Sequence, residues 1–570
     1  MFPEKKAQER QRAAEYKKAF DPFGARCRRE EVRLTIRKQK KDEIVKKRRL
    51  AATTQPHAVA GQVSIAEQRQ GMQHWLNILS DPSSHLENVL FATRQLRSLV
   101  SFEGCDLSTF QDFLDVTVRH LVSFLANANN EALILDSIWI LTNIAASQHA
   151  WKLAEYGAMG PLVALLWNKD ASAEIKGQVA WTLANLAGDS KTMRDLVLEA
   201  GALQPLLMNI QKESITNSND LFLLRKVVWC VSVLTVWPLE TDANGFMLDA
   251  AKEVITQFAL TYQAMLPPCQ GSEDIFDNIH WALSRLSGNK SNDAIEHTIH
   301  EHIMSFGMTT NLVNVLRQII SLQGSSRVAP WPIVRILGNF VAGYDEGHTQ
   351  TVIDCGFLDH LPILMDSTNA YDIRKDACWM ASNIAAGSKK QVDLLVSKTG
   401  VLESLVVRAS PVERWQIRRY AILALAAICC HGAKNIMRVL DAGGLIPLVE
   451  SLSYENQGAN FMCDVLDGIR RIFEFIKGIS DEGRISGFVQ QFEELDGIER
   501  LEHLNDHPSE KVYAQATGIL RDFLGGQDDD DDENENLAPK VNVSSKTFEF
   551  GTSNQEFQQS AMRFGNCNRV

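Results

Sequence analysis

A chain of 570 residues is too long for one ordinary compact core, and its 45% hydrophobic and 22% charged content is the balance of a globular protein. No uninterrupted apolar run reaches about 18 residues and no apolar segment opens the chain, so neither a membrane span nor a secretory signal is predicted. Ten cysteines lie scattered without a CxxC pair, which excludes a disulfide frame and points to reduced thiols in cytosol or nucleus.

Charge is unevenly placed. Residues 1–50 carry 18 Lys and Arg against 8 Asp and Glu, which leaves the remainder at −22 within a net −12. The densest part is RREEVRLTIRKQKKDEIVKKRR at 28–49, with 11 basic residues and 4 acidic ones. Arg29, Arg33, Arg37 and Lys41 recur at helical spacing, and only Val32 and Ile36 are apolar in step. That is too little to fold alone, so residues 1–55 are expected to be a disordered basic arm that becomes helical against an acidic partner. An acidic body repels nucleic acid, which favours a protein partner for the arm. Residues 56–84 read as a linker.

From about 85 to 525 one phrase repeats. SIWILTNIAAS, VAWTLANLAGD, VVWCVSVLTVW, IHWALSRLSGN, IVRILGNFVAG and ACWMASNIAAG align on Trp139, Trp181, Trp229, Trp281, Arg335 and Trp379, at spacings of 42, 48, 52, 54 and 44. Leu423 and Asp467 continue the register, and Arg94 precedes it by 45. A glycine phrase comes first in each unit, at Gly157, Gly201, Gly356, Gly400 and Gly443. Each unit therefore reads as a glycine turn, an apolar helix, a polar link and a second apolar helix. A period of 40–47 residues built from helices is that of armadillo and HEAT repeats, and nine or ten such units stack into a solenoid with a long concave groove. No strand pattern is evident.

In three units Asn follows Trp by four residues: Trp139 and Asn143, Trp181 and Asn185, Trp379 and Asn383. Both fall on one helix face. Stacking turns them into a ladder, with parallel rings expected to leave slots between them. Lysine stems fit such slots, Asn amides pair with an extended peptide backbone, and Asp189, four after Asn185, can select ammonium groups. A lone Trp in an apolar helix is ordinarily core. Five in one register, three with a polar Asn in step, point instead to peptide binding.

Other features say less. His297, His300 and His302 with Glu301 could ligate a metal, but surface histidines explain them more simply, and no metal is expected. Cys429–Cys430–His431 reads as core thiols. No Walker loop, HExxH, GxSxG or kinase signature occurs, so no enzyme and no cofactor are predicted. The acidic run ending near 533 opens a disordered tail, 526–570, whose FEFG and RFG are weak motifs.

The chain resembles the importin α family of nuclear-import adaptors. WTLANLAGD and WMASNIAAG look like that family's Trp-and-Asn helices, and RREEVRLTIRKQKKDE followed by KKRR looks like its importin-β-binding arm. GIERLEHLNDHPSEKVYAQATGILRDFLG resembles its last repeat, so the likeness covers about residues 10–535. The resemblance implies an all-α, right-handed superhelical armadillo solenoid that binds basic nuclear localisation signals and passes between cytoplasm and nucleus. It implies a major site of Trp139, Asn143, Gln178, Trp181, Asn185, Asp189 and Trp229, and a minor site of Trp281, Arg335, Asn339, Trp379 and Asn383. Arg28, Arg29, Arg33, Arg37, Lys38, Lys40 and Lys41 would meet importin β. Lys46, Lys47, Arg48 and Arg49 would occupy the groove as a tethered competitor until importin β takes the arm. An exportin of the CAS type would return the adaptor. The sequence departs from the pattern at Val233, Leu423 and Ala427, where ladder Asn or Trp is missing, so signals with a single basic cluster are expected to be preferred. A scaffold of the adhesion or signalling kind shares the repeat but lacks the arm.

Overall fold

The structure is a computed structural model. It describes residues 65–101, 107–127, 129–210, 218–236, 246–266, 268, 271–288, 293–322, 326–453, 458–479, 482–524, 540–542 and 547–549. These fall into two compact units, one up to Pro447 and one from Leu448.

The repeat phrase forms the last long helix of each repeat: Leu86–Ser101, Glu131–Ala145, Ala173–Asp189, Ser218–Leu234, Glu273–Ser287, Pro330–Ala342, Tyr371–Ala385, Trp415–Cys429, Ala459–Lys477 and Glu510–Ile519. Those before Pro447 pack each on the next. Each is thus covered by two ladder neighbours and by the shorter helices of its own repeat, which is why the sequence is apolar on nearly every side. In the helix Ala173–Asp189, Ile175, Val179, Ala180, Leu183, Ala184 and Leu186 are all buried. The starts are set by local chemistry. Asn130 and Ser172 accept from the backbone N–H groups of Leu133 and Ile175 at 3.0 and 3.4 Å, and Pro330 opens its helix at the first turn.

Gly157, Gly201, Gly356, Gly400 and Gly443 all have positive φ, between 70° and 84°. This left-handed turn is how the first helix of each repeat folds back into the second, and glycine adopts it at little cost. The last repeat makes the same turn with Asp496 at φ 56°, the one positive-φ residue among those described that is not glycine.

Two sequence readings are corrected. The stretch 56–84 is not all linker: Ile65–Ser80 is a helix that buries Met72, Leu76 and Leu79 and packs on Leu86–Ser101, so the repeats begin about 20 residues earlier. The tail is not free of strands. Lys540–Asn542 pairs antiparallel with Thr547–Glu549, Val541 opposite Phe548, as the polar–apolar alternation of KVNV and TFEF allows.

A β-carbon at Gly201 would meet nothing within 4 Å, so Gly201→Ala introduces backbone strain alone. It is expected to cost about 1–2 kcal/mol, whereas Asp496→Gly is expected to raise stability by up to about 1 kcal/mol. Urea unfolding of the two variants checks both signs.

Candidate peptide-binding ladder

The Trp and Asn residues singled out in the sequence come together along one face of the first unit. Trp139, Trp229 and Trp281 are partly exposed, while Trp181 and Trp379 are only 4% exposed. The rings are not parallel. Trp181 and Trp229 meet edge to face at 6.4 Å and 89°, and Trp281 meets Trp331 the same way at 5.1 Å and 84°. Edge-to-face contact places a positive ring edge against a negative face, which a parallel stack does not.

The faces themselves are covered by cations of the chain. The Arg97 guanidinium lies 4.1 Å from the Trp139 centroid, Lys226 Nζ lies 3.8 Å from that of Trp181, and the Arg335 guanidinium lies 5.3 Å from that of Trp379. Two of these cations are aimed by a buried carboxylate three residues before the Trp. Arg97 donates to Asp136 at 2.5 Å and Arg335 to Asp376 at 2.7 Å. Trp331 Nε1 also donates to Asp376, at 2.8 Å. Arg97 thus does for Trp139 what Arg335 does for Trp379, so the first rung is Arg97 and not Arg94, which reaches Asp136 only at 3.5 Å. For Trp181 the position three before is Gln178, not an acid, and the cation arrives from the following helix instead.

The Asn residues divide into two kinds. Asn143 and Asn383 donate Nδ2 to the carbonyls of Trp139 and Trp379, at 3.1 and 3.0 Å. Asn185 and Asn339 reach the preceding ladder helix. Asn185 donates to the Thr142 carbonyl at 3.2 Å, and Asn339 to the Ser284 carbonyl at 3.1 Å and to Ser287 Oγ at 2.9 Å. Gln178 joins the first crossing by donating to Thr142 Oγ1 at 2.8 Å, while Thr142 and Thr182 share a 2.7 Å bond. Asn185 Oδ1 is buried with no hydrogen-bond partner within the chain, a costly state for an amide oxygen unless a ligand N–H completes it. Asp189 is half-buried at the end of its helix.

Gly338 explains how Trp379 seats so deeply. A β-carbon there would stand 2.8 Å from Trp379 Cζ3, so only glycine lets the indole lie against the preceding helix. At the departures, Leu423 and Val233 are buried apolar residues, and Ala427 offers no polar group. The helix Ser218–Leu234 therefore offers the Trp229 indole without an amide four residues on, and the helix Trp415–Cys429 offers neither at those positions.

Three residues were missed in the sequence. Lys226, Asp136 and Asp376 all stand three before the marker position, so reading that column would have found them. Asp277 is a fourth. It lies four before Trp281, on the same helix face, and accepts from the Ala329 backbone N–H at 2.9 Å. Burial pushes its carboxyl up to about 6, against the pull of that hydrogen bond, with Asp274 and Glu273 adding to the rise. A carboxylate held so uncomfortably is stabilised by any cation brought beside it. The arm residues Arg28, Arg29, Arg33, Arg37, Lys38, Lys40, Lys41 and Lys46–Arg49 lie outside the described residues.

Residues 12–88 match the importin beta binding domain, 345–386 the armadillo/beta-catenin-like repeat and 487–540 the atypical Arm repeat. Importin subunit alpha-1a of Oryza sativa subsp. japonica is 29% identical over 521 residues, covering 90% of this chain and 92% of that protein. Importin subunit alpha-3 of Arabidopsis thaliana is 29% identical over 550 residues, covering 95% and 96%. The crystal structure of an engineered protein, 20% identical, superposes with a TM-score of 0.62 over 80% of this chain and 99% of its own, a likeness of fold alone. The chain thus carries matches to an importin beta binding domain, an armadillo repeat and an atypical Arm repeat in that order, and over nine-tenths of its length it is similar to importin α subunits.

Proposed function

We propose that this chain is a nuclear-import adaptor: it binds importin β through the basic arm and carries cargo by holding a basic, extended segment along the Trp and Asn ladder. The observation that supports this most is that three ladder indoles each already hold a cation of the chain itself. A face that packs Arg or Lys methylenes and charge from within takes the same groups from a peptide. The unpaired Asn185 Oδ1 supplies an acceptor for a peptide N–H, and Asp189 and Asp277 supply charge for ammonium groups. The work is peptide exchange, with no bond made or broken. The chain shuttles between cytoplasm and nucleus, returned by an exportin of the CAS type.

The major site, Trp139 to Trp229, holds the principal cluster. The minor site, Trp281 to Asn383, lacks its next rung because Leu423 is buried and apolar. Single-cluster signals are therefore bound nearly as well as two-cluster ones. Lys46, Lys47, Arg48 and Arg49 compete from within, at the high effective concentration of a tether.

The test is binding of a fluorescent PKKKRKV-type peptide to the full chain and to residues 60–570. The truncated chain should bind more tightly. Equal binding removes the tethered competitor and leaves the ladder, while no binding to either moves the scaffold reading to the front. A two-cluster peptide that loses more than about tenfold when its second cluster is mutated would overturn the single-cluster preference.

Lys226 gives a sharper prediction. Lys226→Ala bares the Trp181 face and removes a charge that repels the ligand. Binding of the basic peptide to residues 60–570 should tighten roughly two- to fivefold, equivalent to about 0.5–1 kcal/mol. Unchanged or weaker binding would place the cargo lysine elsewhere.

A further inference from the structure

Away from the ladder, three side chains from two successive repeats converge. His297 lies in the helix Asp293–Ser305, Asp345 caps the helix Glu346–Asp354, and His348 lies in the first turn of that helix. Each offers one donor atom, and these atoms all lie within 4.8 Å of one another. The imidazoles of His297 and His348 are stacked at 5.1 Å with 18° between their planes. His297 Nδ1 stands 4.0 Å from Asp345 Oδ2.

The surroundings hold two of the three in place. Asp345 Oδ1 accepts from the Gly347 backbone N–H at 2.7 Å, which fixes the carboxylate and leaves Oδ2 turned to His297. His348 is buried, and its Nε2 faces Glu301 Oε1 at 2.5 Å. A proton on Nε2 shared with that carboxylate makes Nδ1 the lone-pair nitrogen, the arrangement by which a second carboxylate orients a metal-binding imidazole. His297 is exposed and free to rotate into place. The neighbouring histidines are spent elsewhere. His300 Nε2 bonds to the Ser287 carbonyl at 2.8 Å and its ring packs on Phe340. His302 Nε2 faces Thr256 Oγ1 at 2.9 Å and the Lys252 carbonyl at 3.1 Å.

We propose that His297, Asp345 and His348 form a binding site for a zinc-class divalent ion that clips the first helix of one repeat to the first helix of the next. Two imidazoles and one carboxylate suit zinc and its first-row neighbours, whereas calcium and magnesium call for oxygen alone. Bonds of about 2.0–2.1 Å in a tetrahedron put ligand atoms about 3.3 Å apart, so the group closes inward by a rotation of His297, and water takes the fourth position. The expectation from sequence of plain surface histidines is corrected at His300, which is buried, and the proposal departs from it at His297, which is exposed. Its co-ligands lie about 50 residues onward, not beside it.

The test uses the full chain stripped by a chelator and titrated with Zn2+ by calorimetry and with Co2+ by visible spectroscopy. One equivalent of Co2+ should give the visible bands of a nitrogen and oxygen ligand set without the near-ultraviolet band of a cysteine thiolate. His297→Ala should weaken Zn2+ binding at least tenfold. His297→Cys should restore tight binding and add the thiolate band, a rescue that a merely structural histidine would not allow. Binding that His297→Ala and His348→Ala both leave within twofold of the original overturns the site. So does a Co2+ spectrum from thiolates alone, or no binding at all.

Discussion

A ladder helix in this chain cannot bury itself within its own repeat. It is apolar on nearly all sides, and the missing cover comes from the ladder helices before and after it. Everything else in the first unit follows from that constraint. The glycine turns exist to bring two short helices back against the third. The polar residues of the ladder survive burial only where a neighbour receives them, as the Thr142 carbonyl receives Asn185 and Asp376 receives Arg335 and Trp331. These cross-repeat bonds set the register in which indoles and amides line up, so the packing that stabilises the array also builds the proposed binding face.

The repeat, its period and its turns were legible in the sequence because periodic burial writes periodic residues. All five glycines picked out by phrase have positive φ. The helix Ile65–Ser80 was missed because it buries only Met72, Leu76 and Leu79, a stripe diluted by Gln, Glu and Arg on the other face. The orientation of the indoles was not legible from their own column. For Trp139 and Trp379 it depends on Asp136 and Asp376 three residues earlier, which aim Arg97 and Arg335, and for Trp181 on Lys226 of the following helix. The His297 group was hidden for another reason. Its members belong to different repeats, and only stacking makes them neighbours.

The cations on the indoles change what binding means. A peptide lysine bound there would not enter an empty slot, because Arg97, Lys226 and Arg335 already lie over the indoles. Where the resident cation is paired with a buried carboxylate, moving it leaves that carboxylate short of a partner, which costs far more than a surface ion pair is worth. Arg97 and Arg335 are therefore fixed parts of the face, and ligands must pack around them. Lys226 reaches Trp181 from the following helix, and the residue three before Trp181 is Gln178, where Asp136 and Asp376 stand at their own rungs.

The proposed arm and Lys226 would both compete with cargo, but different events relieve them. The arm is one tethered segment, and a receptor that grips residues 28–41 withdraws Lys46–Arg49 with them. Lys226 sits on a ladder helix and stays over Trp181 whatever holds the arm. The arm would then decide when the groove is open, and Lys226 would limit how tightly the open groove binds. With a resident cation over Trp181 and the proposed minor site short of a rung, the proposed groove would favour ligands that make full use of the Trp139 and Asn143 end. There Arg97 and Asp136 hold the indole in a fixed pose, so the ordering cost falls on the peptide alone.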